Sequence, residues 1–182
     1  FKEVHKKIVL SETNNEKIKD LCFDKYDEIL KALIYTQKEF FGLQGIKKAQ
    51  VHLSGGLDSS IVAYLVTKAM GKENVIFISN PSQCNGNETK SNAQYTADKL
   101  GIKLYWNPIE EIYQTLKTID ENSFKDSNLE LPKAGLSSMQ AVLRSVQALA
   151  ANHRFKSGLV SCGNHTENVL GWASFHDVGS IG

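Results

Sequence analysis

Strand-length apolar runs separated by longer stretches of helical period recur along this chain. That alternation restricts it to stacked βα units around a parallel sheet. The runs lie at residues 50–53, 75–78, 104–106 and 159–162. Helices are expected at 24–41, then from the turn after residue 53 to Met70, and at 88–100, 109–119 and 138–155. In the first of them Tyr26, Ile29, Leu30, Leu33, Ile34 and Phe40 recur at three- and four-residue steps, with Gly42 as the stop. Gly71 and Gly101 end the next two. The last helix carries Ala141, Val142, Val146, Leu149 and Ala150 as its apolar positions. Residues 120–135 are polar, hold Pro132, and read as a long surface loop of the kind that covers sites.

Residues 1–23 read as a lead-in segment or linker and 24–182 as one domain. The glycine-rich stretch 178–182 reads as a domain incomplete at its C-terminus. Lys plus Arg number 21 and Asp plus Glu 20, a net charge of +1, so nothing global draws the chain to nucleic acid or an anionic membrane. A polyanion has to be held locally. No apolar run approaches the roughly 18 to 20 residues that cross a bilayer, so no membrane partner is expected. Cys22, Cys84 and Cys162 are widely spaced and form no C-x-x-C pair, which fits a reducing, cytoplasmic setting.

The most informative string is His52-Leu53-Ser54-Gly55-Gly56-Leu57-Asp58-Ser59-Ser60, between an expected strand and an expected helix. Two adjacent glycines let backbone N–H groups converge, serines add hydroxyls, and the helix N-terminus adds about half a positive charge, the ingredients of a phosphate cradle. The lysine of G-x-x-x-x-G-K-[ST] is missing, so a pyrophosphate leaving group fits better than γ-phosphate transfer. Asp58, in the first helical turn, is placed to cap the helix or to reach a magnesium ion that bridges phosphates.

A second loop follows the last strand, Ser161-Cys162-Gly163-Asn164-His165-Thr166-Glu167. Ligands of parallel α/β sheets collect beyond the carboxyl ends of the strands, so the two loops are expected to face one pocket. Glu167 is then a candidate second magnesium carboxylate, although read alone it fits position N3 of a capping arrangement. His165 lacks a partner at ligand spacing and stays outside the chemistry, as do Cys22 and Cys84, which have no nearby His.

Ser54-Gly55-Gly56-Leu57-Asp58-Ser59 resembles the SGGxDS loop of the N-type ATP pyrophosphatases. Asn80-Pro81-Ser82, Lys99-Leu100-Gly101-Ile102 and Gly163-Asn164-His165-Thr166-Glu167 followed by Gly171-Trp172 narrow the resemblance to the NAD synthetase family, over about residues 26–177. The family's N-x-x-A-R-x-R stretch aligns with Ser138-Met139-Gln140-Ala141-Val142-Leu143-Arg144, where Arg144 alone keeps an arginine and Val142 replaces the other. Its ATP-contacting Thr aligns with Cys162, and its Y-G-D segment with Phe175-His176-Asp177.

The resemblance implies a Rossmann-like adenine nucleotide alpha hydrolase fold, a parallel sheet with helices on both faces. It implies ATP-dependent amide formation: deamido-NAD, ATP and ammonia or glutamine give NAD, AMP and pyrophosphate through an adenylate, with Mg2+. ATP contacts are implied at Leu53, Ser54, Gly55, Gly56, Leu57, Asp58, Ser59, Ser60 and Cys162, with the segment 79–82 bordering the adenine. Substrate contacts are implied at Arg144, Asn164 and Glu167, and catalytic and metal roles at Asp58 and Glu167. A homodimer and a glutaminase domain ahead of the lead-in segment are the implied partners. The alternatives are an asparagine synthetase-like or other amidotransferase of the same superfamily, and a nucleotide-binding module that no longer turns over.

Overall fold

The computed structural model describes residues 24–170 except Cys84. Residues 1–23 and 171–182 lie outside that range, and with them Cys22, Gly171-Trp172 and Phe175-His176-Asp177. In order the elements are α1 (Lys25–Leu43), β1 (Ala49–His52), α2 (Leu57–Met70), β2 (Val75–Ser79), α3 (Asn87–Leu100), β3 (Leu104–Trp106), α4 (Glu110–Ser123), α5 (Lys133–Phe155), β4 (Gly158–Val160) and α6 (His165–Leu170). Short 3-10 turns at Lys72–Asn74 and Lys125–Ser127 complete the elements among the described residues.

The four strands form one parallel sheet in the order β3-β2-β1-β4. Side chains alternate across a strand, and here the alternation assigns the two faces. Ala49 and Val51 of β1, Leu53 just beyond it, Val75 and Phe77 of β2 and Leu104 of β3 join Phe41 of α1, Ala63 and Val66 of α2, and Ala93 and Ala97 of α3 in the main core. The intervening residue Gln50, fully buried, turns to the opposite face, where its Nε2 donates to the Ala148 carbonyl of α5 at 2.7 Å. A second cluster of Ile109, Tyr113 and Leu143 joins α4 to α5. Helices therefore cover both faces, as expected.

Four local features differ from the expected pattern. α1 runs through Gly42 to Leu43, and Gly45, at φ +67°, takes the left-handed position after it. Gly42 adopts no positive φ, so it does not end the helix. Much of the expected loop 120–135 is helical: α4 continues to Ser123 and α5 begins at Lys133, directly after Pro132, whose fixed φ suits a helix start. The fourth strand stops at Val160, leaving Cys162 in the loop beyond it, partly buried against the main core. Of the apolar positions expected on α5 only Ala141 is buried. Val142, Val146, Leu149 and Ala150 are exposed, while Ala141, Leu143, Ser145, Ala148 and Ala151 are buried.

Candidate active site

Strands β1, β2 and β3 step outward in one direction, after which the chain returns to place β4 on the other side of β1. The direction of winding therefore reverses between β1 and β4, the position at which open parallel sheets leave a crevice beyond the strand ends. The loops 53–56 and 161–164 leave the carboxyl ends of these two neighbouring strands, so the topology places the two sequence motifs side by side.

Gly55 shapes the first loop. Its φ of +85° is left-handed, and a Cβ there would lie 2.0 Å from the Thr89 carbonyl oxygen in the first turn of α3. Conformation and space both require glycine. Gly56 caps α2 without a side-chain hydrogen bond, and the helix's own bonding begins with Ser60 N to Gly56 O at 3.2 Å. The N–H groups of Leu57, Asp58 and Ser59 are thus the orphan donors of a helix start, gathered at the winding reversal.

The serines divide their work. Ser59 and Ser60 both donate to the Gly56 carbonyl, at 3.0 and 2.9 Å, and Ser60 also meets Thr96 Oγ1 of α3 at 3.1 Å. Their hydroxyl protons brace the loop, where the sequence suggested phosphate donors. Exposed Ser54 accepts from Gly56 N at 3.2 Å and, because the Ser59 proton goes to Gly56 O, donates its own to Ser59 Oγ at 3.2 Å. It is the one exposed serine of the loop. Leu53 is 1% exposed and its N–H is bound to Ile78 O, so its side chain belongs to the core.

Asp58 and Leu57 are exposed, and among the described residues the Asp58 carboxylate makes no hydrogen bond or ion pair. Across the crevice Asn164 and Glu167 form a reciprocal cap: Asn164 N donates to Glu167 Oε2 at 3.0 Å, and Glu167 N donates to Asn164 Oδ1 at 2.9 Å. Gly163 N donates to Ser161 Oγ at 3.2 Å. Among the described residues no three His, Cys, Asp or Glu side chains converge as a metal centre. One exposed, uncommitted carboxylate beside a phosphate-type cradle fits a largely hydrated Mg2+ that arrives with the phosphates, not an all-protein cage.

Sequence reasoning missed a clasp on the next strand end. Gln140, Arg144 and Gln147 of α5 stand at helical spacing and grip the segment after β2. Ser82 Oγ donates to Gln140 Oε1 at 3.3 Å, Arg144 Nε donates to Asn80 O at 3.3 Å, and Asn80 Nδ2 donates to Gln147 Oε1. Gln83 N donates to Glu110 Oε2 at 2.7 Å, closing the same segment against α4. The signal was present as three polar residues at i, i+4 and i+7, hidden because the apolar stripe of α5 suggested the wrong inward face.

The sequence model of the NAD synthase family matches residues 29–181. The chain belongs to the NAD synthase family. Similar curated relatives include a glutamine-dependent NAD(+) synthetase of Thermotoga maritima, 30% identical over 150 residues, covering 82% of this chain and 26% of that protein. Another is an NH(3)-dependent NAD(+) synthetase of Pelodictyon phaeoclathratiforme, 27% identical over 168 residues, covering 90% of this chain and 56% of that protein. This NAD synthase-family chain therefore spans about a quarter to a little over half the length of these relatives. In fold it is similar to a glutamine-dependent NAD+ synthetase from Acinetobacter baumannii in complex with ADP, with a TM-score of 0.79 at 20% identity over 86% of this chain and 29% of that one.

Proposed function

We propose that this chain carries the ATP-dependent, amide-forming chemistry of an NAD+ synthetase. A carboxylate oxygen of deamido-NAD forms a bond to the α-phosphorus of ATP, and the bond to pyrophosphate breaks. Ammonia, free or released from glutamine, then attacks the activated carbonyl carbon; AMP departs, a proton is lost and the amide of NAD remains. The observation that carries this reading is the set of orphan N–H groups of Leu57, Asp58 and Ser59 at the winding reversal, in a chain of this family.

The residues act by electrostatics more than by proton transfer. The helix start holds the departing pyrophosphate, Ser54 joins it by turning its hydroxyl from Ser59 to the anion, and Gly55 keeps the backbone close enough to reach it. Leu53, Gly56 and Ser60 maintain the loop. Cys162, in the facing loop, borders the nucleotide, the segment 79–82 borders the adenine, and Arg144 and Asn164 face the dinucleotide. Asp58, with Glu167 through the oxygen that its cap leaves over, would hold Mg2+, which supplies positive charge against the phosphate oxygens.

A cytoplasmic homodimer is part of the proposal, supported by the apolar stripe Val142, Val146 and Leu149 exposed on α5. Among the described residues no helix is long and apolar enough to cross a membrane. The metal role is tested with Asp58→Asn, which keeps the size of the side chain and removes its charge. AMP formation from magnesium ATP and deamido-NAD falls by about a hundred- to a thousandfold with the melting temperature unchanged; near-normal turnover removes Asp58 from the reaction.

A further inference from the structure

The ends of β1, β2 and β3 meet α5 in a polar knot whose centre is Asn80. Its Nδ2 donates to Asn107 O at 3.0 Å and to Gln147 Oε1, while Gln147 Nε2 donates to Pro108 O at 3.3 Å. Its backbone carbonyl accepts from Arg144 Nε. With both amide hydrogens committed to carbonyl oxygens, the Asn80 Oδ1 must be the atom that meets His52 Nδ1, and a carbonyl oxygen only accepts. The proton of the His52 ring is thereby fixed on Nδ1. The other ring nitrogen, Nε2, is sealed from solvent with no partner among the described residues, as a bare lone pair can be more cheaply than an N–H.

We propose that His52 is a positioning residue that acts through Asn80 on Arg144. The Nδ1–H of His52 locks the rotamer of the Asn80 side chain, and this locks the adjoining Asn80 carbonyl on which the guanidinium of Arg144 rests. Arg144 is then aimed by three strand ends and not by α5 alone. Burial holds the imidazole below its ordinary pKa, so the ring stays neutral and keeps this single-donor arrangement at neutral pH. The substrate part of the proposal rests on the reading of Arg144 as a contact to the dinucleotide.

Two variants of the full chain separate this from a packing role. His52→Asn places an amide N–H where Nδ1 stood; His52→Leu keeps bulk and offers no donor. The Arg144 Nε–H signal in 15N-edited NMR, which needs no ligand, is expected to exchange with solvent slowly in the parent and in His52→Asn, and about tenfold faster in His52→Leu. In the same series KM for deamido-NAD rises about tenfold in His52→Leu with little change in kcat, and His52→Asn restores it.

A folded His52→Leu protein with undiminished Arg144 protection overturns the proposal. Should that variant not fold, Asn80→Ala takes its place, because it keeps the carbonyl that Arg144 needs and removes the side chain through which His52 acts; protection retained there overturns the proposal equally. Protection lost with KM unchanged upholds the positioning and overturns only the substrate role of Arg144.

Discussion

Gly55 is where sequence and structure agree most closely on a single residue. The paired glycines identified a tight turn, but only the fold reveals that Gly55 is pressed against the Thr89 carbonyl, because α3 lies a whole strand away in the chain. Gly55→Ala forces a left-handed alanine, at about 1–2 kcal/mol, and also drives the loop off α3. Both a lower urea midpoint and loss of binding to a non-hydrolysable ATP analogue are expected; unchanged binding contradicts the cradle geometry. His52 was legible as a member of the loop string and illegible as a functional group. Its partner Asn80 sits 28 residues away, and a lone histidine at a strand end carries no local sign of what it meets.

Among the elements, α5 and α6 show where periodicity informs and where it misleads. The helical period of α5 was plain, yet its inward side was misassigned. Valines and leucine marked the apolar stripe, whereas the buried positions are the small residues Ala141, Ser145, Ala148 and Ala151, which permit close approach, and Leu143, which packs with Ile109 and Tyr113. The polar residues Gln140, Arg144 and Gln147 then reach the β2 loop. Similarly, composition alone could not show that residues 120–123 and 133–135 are helical, since exposed polar helix and polar loop share the same letters.

For α6 the hydrogen bonds establish Glu167 as a cap, and a pair of variants tests the metal role proposed beside it. Glutamine at N3 caps as glutamate does but carries no charge. Glu167→Gln is therefore expected to keep its melting temperature and lose most of its turnover, while Glu167→Ala also forfeits about 1 kcal/mol of stability. Full turnover in Glu167→Gln would leave the residue as a cap alone.

Across the whole molecule, the alternation of strands and helices made the parallel sheet readable in advance, while helices on both faces were implied by the family resemblance. The order β3-β2-β1-β4, which sets the winding reversal and brings the two motif loops together, emerges only from the pairing of strands. Global stability should also report the buried imidazole. His52 has a folded pKa below its ordinary value of 6.5, so above that value the ring is neutral in both states and its contribution is complete. As the pH falls below 6.5 the unfolded chain takes up a proton that the folded one resists, and stability declines until the folded pKa is passed. Urea midpoints measured across this window are expected to fall more steeply in the parent than in His52→Asn; parallel slopes would contradict a neutral buried His52.

The central claim is the reaction itself, and its most direct measurement is product stoichiometry. Full-length protein is incubated with magnesium ATP, ammonium and deamido-NAD, with aspartate as the competing acid, and NAD, AMP and pyrophosphate are followed together. NAD, AMP and pyrophosphate rising in equal amounts, and only with deamido-NAD, is the predicted result. AMP formed only with aspartate, or ATP bound without any product, would contradict it.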